Sequence, residues 1–270
     1  MADQNVLKDL EQFYSDNPLK VWIPSLNEEH NFKPISVGQQ KTLFDLETDD
    51  PDLEYFVNAP KALNQLIGLT CMDESVYNSI TVIDRPVILL QLKYNVKNTI
   101  ILTIDGEVYD IDLKVFVTGL KNKAKKPKKL KFKNMFSVGN VFVYVRPPNL
   151  ASDELYNNYF LATQDGRPDV GIDELTGEAF FAEVAKFIDR ITFDNGDGES
   201  TYNFNELDQE SLAKNLELLA NLPSTITSRV SDYIALIKEY QINLVTEKIK
   251  VKGGEKNVFL DIDIPFFTTL

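Results

Sequence analysis

Residues 208–240 read DQESLAKNLELLANLPSTITSRVSDYIALIKEY, and their spacing predicts two amphipathic helices joined at Leu222-Pro223-Ser224. Leu212, Leu216 and Leu219 recur at intervals of four and three, while Ile226, Val230, Tyr233, Ile234 and Ile237 mark one buried helical face. Pro223 cannot continue the first helix but suits the opening of the second, and Ser224 is placed to cap it. No group of catalytic residue types lies near. The segment therefore builds a surface rather than a reaction centre.

A second stretch brings in β-structure. Ile100, Leu102 and Ile104 alternate up to Asp105-Gly106, and Val108 to Leu113 return as the partner strand, because Asp-Gly is a strong two-residue hairpin signal. Further strands are expected at Val21-Trp22-Ile23, at Val141 to Val145, around Val245 to Val251, and around Val258 to Ile264 after Gly253-Gly254. Pro34 confines the piece Phe32-Lys33-Pro34-Ile35 to an edge strand or a loop. Helices are expected at the N-terminus, with Val6, Leu7, Leu10 and Phe13 near one face, and near 37–46, 59–69, 153–162 and 178–190. One more follows Asp84, a candidate N-cap with Pro86 in the first turn and Val87, Leu90 and Tyr94 facing in. Helices and hairpins interspersed without βαβ regularity give an α+β class, in two subdomains. The boundary is placed at Pro147-Pro148-Asn149, between an N-terminal α+β part (1–148) and a C-terminal helical part with a terminal hairpin (149–270).

Composition excludes several classes of partner. The formal charge is −13, so the mean field repels nucleic acid and anionic membrane. One cysteine, Cys71, permits no intramolecular disulfide and no cysteine-based zinc site. The opening MADQNVLKDL lacks the apolar core of a secretory signal, and no apolar run reaches the roughly 20 residues needed to span a bilayer. A reducing, cytoplasmic compartment is expected. Against the acidic background, residues 121–133, KNKAKKPKKLKFK, carry eight lysines and no acid. That run, with Lys125, Lys126, Lys128 and Lys129 at its centre, reads first as a solvated loop. It also suits docking on an acidic protein surface, or on nucleic acid, although only Phe132 offers a stacking ring.

The chemistry-bearing residue types do not assemble into a motif. Asp194-Asn195-Gly196-Asp197-Gly198-Glu199 puts glycines where a calcium loop of EF type needs side-chain oxygens, so it reads as a polar turn. His30 is the single histidine, flanked by acids, and neither Ser25 nor Cys71 sits in a nucleophile motif. The carboxylate pairs Asp49/Asp50 and Asp261/Asp263 read as solvated, and Trp22 as a core anchor. Phosphate-binding glycine patterns are absent. The sequence thus predicts no catalytic, metal or cofactor site, and no cofactor.

Three ordered blocks carry a resemblance. The first is Trp22-Ile23-Pro24-Ser25 with Phe32 to Leu43; the second is Asp84-Arg85-Pro86-Val87-Ile88-Leu89-Leu90-Gln91-Leu92-Lys93. The third joins the 178–190 helix, Phe204-Asn205-Glu206-Leu207, Leu222-Pro223-Ser224, Asp232-Tyr233-Ile234 and Phe266-Phe267. Together they resemble the baseplate hub and hub-assembly proteins of T4-type contractile-tailed bacteriophages. The resemblance implies a non-enzymatic role, as hub subunit or as assembly chaperone, made in the host cytoplasm and acting through contacts with other hub or tail proteins, with homo-oligomers admitted. Many relatives carry paired cysteines in the central hairpin; here Thr103-Ile104-Asp105-Gly106 has none, so no metal role carries over. Candidate interaction residues are Lys125, Lys126, Lys128, Lys129, Phe266 and Phe267, the last two either packed on the terminal hairpin or inserted in a partner. Two other readings stay open: a nucleic-acid-associated protein using residues 121–133, and an enzyme of unknown type.

Overall fold

The helix α5 (Arg85–Val96) organises the molecule, because residues Val87 to Lys93 are all buried. Sequence periodicity predicts one inner face for it; the structure surrounds it. In a computed structural model, which describes residues 4–44, 57–124, 133–164, 172–196, 198–205, 208–263 and 266, the chain is an α+β fold. Before α5 come α1 (Gln4–Asp16), the hairpin β1 (Leu19–Ile23) and β2 (Glu28–Phe32), α2 (Val37–Phe44), α3 (Ala59–Thr70) and the short α4 (Glu74–Tyr77). After it come the hairpin β3 (Thr99–Ile104) and β4 (Glu107–Asp112), α6 (Lys114–Ala124), β5 (Met135–Val138), β6 (Val141–Val145), α7 (Leu150–Gln164) and α8 (Ile172–Lys186). The chain continues through β7 (Ile188–Asp194), β8 (Glu199–Asn203), α9 (Gln209–Ala220), α10 (Ser224–Leu244), and the hairpin β9 (Thr246–Val251) and β10 (Gly254–Phe259).

The predicted helix pair is α9 and α10, with Leu212, Leu219, Ile226, Val230, Tyr233, Ile234 and Ile237 buried as the spacing requires. Asp208 caps α9 by accepting from the Ser211 backbone amide at 2.9 Å. Ser224 does not cap α10. Pro223 holds the cap position and Ser224 is already helical, because the fixed φ of proline sets up the first turn without a side-chain acceptor. The predicted central hairpin is present, with Asp105 at φ 52° and Gly106 at φ 82°, the two positive values that a tight turn between right-twisted strands demands.

Two expectations change. The start of the lysine run, read as a solvated loop, is helical: residues 121–124 close α6, whose Phe116 and Leu120 stand one turn apart and are both buried. The 178–190 helix ends at Lys186; Ile188 and Ile191 belong to β7, which joins a four-stranded antiparallel sheet in the order β5-β6-β7-β8. That sheet also bears on the boundary placed at Pro147-Pro148-Asn149. β6 and β7 pair across it, Val82 donates to the Pro148 carbonyl, Leu150 donates to the Ile80 carbonyl, and one apolar cluster runs from Val21 to Phe266.

At the N-terminus, α1 forms as predicted but leaves Leu10 and Phe13 exposed. The turn end of the β1–β2 hairpin is tied to α5 and to Asp84 just before it. Gln91 accepts from the Trp22 amide and donates to the Trp22 carbonyl, each at 2.9 Å. Asp84, expected as a helix cap, makes no such bond; its buried carboxylate instead accepts from the Ser25 and Thr81 amides and from both their hydroxyls, at 2.7–2.9 Å. Burial raises the Asp84 pKa, and the Ser25 and Thr81 donors pull it back. Replacing Asp84 by alanine strands these donors and is expected to cost about 3 kcal/mol, read as a lower urea midpoint at unchanged slope; an unchanged midpoint would show that the joint carries no stability.

Candidate functional site

The densest gathering of ionisable groups lies where α3, α5, α7 and α8 meet. Asp153 of α7 is almost fully buried, and both its oxygens are occupied: Lys186 reaches one at 2.9 Å, and Arg85 and Asn64 reach the other at 2.6 and 2.7 Å. Lys186, also buried, bonds Glu183 at 2.9 Å and the Asn157 side-chain carbonyl at 2.7 Å, while Arg85 Nε donates to Asn64 at 2.9 Å. Each helix supplies its part through local spacing: Asp153 and Asn157 are four apart on α7, and Glu183 and Lys186 three apart on α8. At the rim, Tyr77 and Gln65 both donate to Glu154.

The electrostatics are those of a mutually neutralising cluster. Burial alone would raise the Asp153 pKa, but the charges of Lys186 and Arg85 and the bonds they and Asn64 make outweigh it and hold the carboxyl below the usual range. Burial alone would lower the Lys186 pKa, yet Asp153 and Glu183 outweigh it and hold the ammonium above the usual range. Every charge in the cluster is committed to a neighbour. The arrangement holds helices together and offers no spare base or nucleophile.

A cleft of about 450 Å³ adjoins the cluster, lined by Arg85 and Glu183 together with Lys238 of α10, Phe259, Asp261 and Asp263. Its walls are largely apolar, from Leu63, Pro86, Ile242 and Val245. The carboxylate pair Asp261/Asp263, read from sequence as solvated, thus borders the cleft. Burial raises the Asp263 pKa, and its carboxylate accepts from the Phe266 amide.

The remaining sequence candidates are dispersed. Ser25 donates its hydroxyl to Asp84. Cys71 lies beside β2, and burial raises its pKa, away from the nucleophilic thiolate. His30 stands 3.7 Å from Glu28. The Asp194–Glu199 turn is closed by the Gly196 amide on Asp194, and among the described residues no group of three or more His, Cys, Asp or Glu side chains is placed to hold a metal ion. Trp22 is buried, as an anchor should be.

Of the candidate interaction residues, Lys125, Lys126, Lys128, Lys129 and Phe267 lie outside the described residues. Their described neighbours are engaged: Lys121 pairs with Glu29, and Lys123 with Glu247 while donating to the Leu244 carbonyl. Phe266 is only 4 % exposed, with the Lys93 ammonium 5.8 Å from its ring centre. Its side chain is thereby packed inside, and not presented as a surface anchor.

Sequence reasoning missed the ionic cluster. The legible signal was Lys186 itself, a lone cation inside the apolar run Val184-Ala185-Lys186-Phe187-Ile188, where only a paired lysine can be buried. Among the described residues no helix is long and apolar enough to cross a membrane. No protein-family model, curated protein or solved structure matched the chain.

Lys186→Met should destabilise the fold by about 3–5 kcal/mol, since one oxygen of the buried Asp153 and the half-buried Glu183 lose their cationic partner. The cluster also fixes a pH window. The lowered Asp153 pKa makes its contribution complete above the unfolded value near about 3.9 and lost as pH falls through the folded one; the raised Lys186 pKa makes its contribution complete below about 10.4 and lost as pH climbs through the folded one. Urea unfolding from pH 2 to 11 should therefore show the difference between wild type and Lys186→Met on a plateau that shrinks at both ends. A difference independent of pH would refute the assignment.

Proposed function

We propose that this chain is a non-enzymatic component of the central hub of a contractile phage tail baseplate, as a hub subunit or as an assembly factor, acting through protein–protein contacts. The observation that carries this reading is where the three resembling sequence blocks fall. Trp22 and Ser25 of the first block bond Gln91 and Asp84 of the second; Lys93 of the second lies against Phe266 of the third. Within the third, the rings of Phe187 and Tyr233 meet edge to face with centroids 6.4 Å apart.

Residues far apart in sequence that carry the resemblance are thus the ones that meet around α5, as expected where a resemblance reports a common fold. Arg85 and Glu183, which line the cleft, are engaged in holding α5, α7 and α8 together. A protein of this kind works in the host cytoplasm during tail assembly, and as a hub subunit it stays in the virion.

Purification of tails and hub intermediates from infected cells tests the reading directly. The chain should co-purify with at least one of them, and its loss should stop tail assembly. Its absence from both, with assembly intact after its loss, would remove the proposal.

A further inference from the structure

Two β-hairpins leave whole faces uncovered, and the two faces match. In β3–β4 the register Ile101 with Asp110, Thr103 with Val108 and Thr99 with Asp112 puts these six side chains on one side of the ribbon. Ile101 and Val108 are 68 % and 69 % exposed there, and Asp110 and Asp112 are exposed beside them. In β9–β10 the register Thr246 with Phe259, Lys248 with Asn257 and Lys250 with Glu255 likewise defines an outer side. Phe259 is 45 % exposed on it, and Lys248 and Lys250 are exposed.

The spacing of the two faces is the same. Along β4 an apolar position at Val108 is followed two and four residues on by Asp110 and Asp112; along β9 the position of Thr246, whose cross-strand partner is the apolar Phe259, is followed two and four residues on by Lys248 and Lys250, the latter opposite Glu255. At about 3.3 Å per residue both series run about 7 and 13 Å from the apolar site. Laid face to face, they bring apolar against apolar and both acids against both lysines. Within one chain the hairpins already touch elsewhere, through Lys256 with Asp105, and through Lys252 with Glu107 and the Tyr109 hydroxyl. Those contacts leave the outer faces free.

We propose that the outer face of β3–β4 docks on the outer face of β9–β10 of a second copy of this chain. Charge complementarity selects the occupant: an anionic membrane or nucleic acid would meet Asp110 and Asp112 with like charge, whereas a second copy brings Lys248 and Lys250 at the matching interval. Every copy offers both faces, so the contact forms twice in a twofold pair or repeats around a ring, with the same residues in either case. This deepens the assembly reading by naming one partner, and it rests on that reading only for its biological setting.

The test uses purified full-length chain in sedimentation velocity across a concentration series at physiological salt. Wild type should self-associate. D110K/D112K alone and K248D/K250D alone should each weaken association about tenfold or more, because like charges then face each other. An equimolar mixture of the two variants should associate again, since one carries paired lysines on both faces and the other paired aspartates on both. Their circular dichroism and thermal midpoints should match wild type, all four side chains being exposed. A wild type that stays monomeric at about 100 µM, association untouched by the reversals, or a mixture that fails to recover would each overturn the proposal. None of these outcomes bears on whether the chain is recovered from purified tails.

Discussion

A helix buried on every side leaves its polar groups nowhere to go but onto their neighbours, and α5 is such a helix. Water cannot satisfy the buried Asp84 and Gln91 and reaches little of Arg85, and each of the three bonds protein. Asp84 takes Ser25 and Thr81; Arg85 takes Asn64 and Asp153; Gln91 takes Trp22. The burial of one element thereby dictates the position of the β1–β2 hairpin, of α3, and of the α7–α8 pair. The charge cluster follows from this demand: once Arg85 brings Asp153 into the interior, Lys186 and Glu183 complete the neutralisation.

The parts of the fold governed by local rules were legible in the sequence. Asp105-Gly106 fixes a turn by backbone geometry alone, and the leucines and isoleucines of α9 and α10 announce a buried stripe because the opposite face stays wet. Legibility ended where burial became two-sided or pairing became distant. Val87, Leu90 and Tyr94 suggested a one-faced α5, since periodicity vanishes when all faces are covered. β7 was hidden because Phe187-Ile188 continues the apolar pattern of α8, and a short apolar run does not declare whether it is helix or strand. Asp84 looked like a cap because Pro86 follows it; only the tertiary approach of Ser25 and Thr81 makes it a buried acceptor. The ionic cluster was missed for the same reason: its members come from four helices, and Lys186 in its apolar run was the one local sign of it.

The placement of the resembling residues separates two questions that sequence alone merges. Trp22, Asp84, Gln91, Phe187, Tyr233 and Phe266 are interior or joint positions, so they speak for how the chain folds. The contacts with other proteins proposed above would fall to different residues, on surfaces outside these blocks. The hairpins β3–β4 and β9–β10 divide in this way: their inner sides, with Ile111, Ile249 and Val258, belong to the core, and their outer sides carry the exposed Ile101, Val108 and Phe259.

The pairing of β6 with β7 has a consequence for the order in which the chain comes into being. α7 and α8 lie between them, so during synthesis the β5–β6 hairpin emerges with Val141, Val143 and Val145 alternating along an edge whose permanent neighbour has not yet been made. At roughly 5–20 residues per second that edge waits for seconds. An open, valine-rich edge is a template for pairing with any passing strand. The nascent protein is thus most exposed to the wrong partner just before it acquires the right one, and the speed with which α7 and α8 leave the ribosome sets how long that interval lasts.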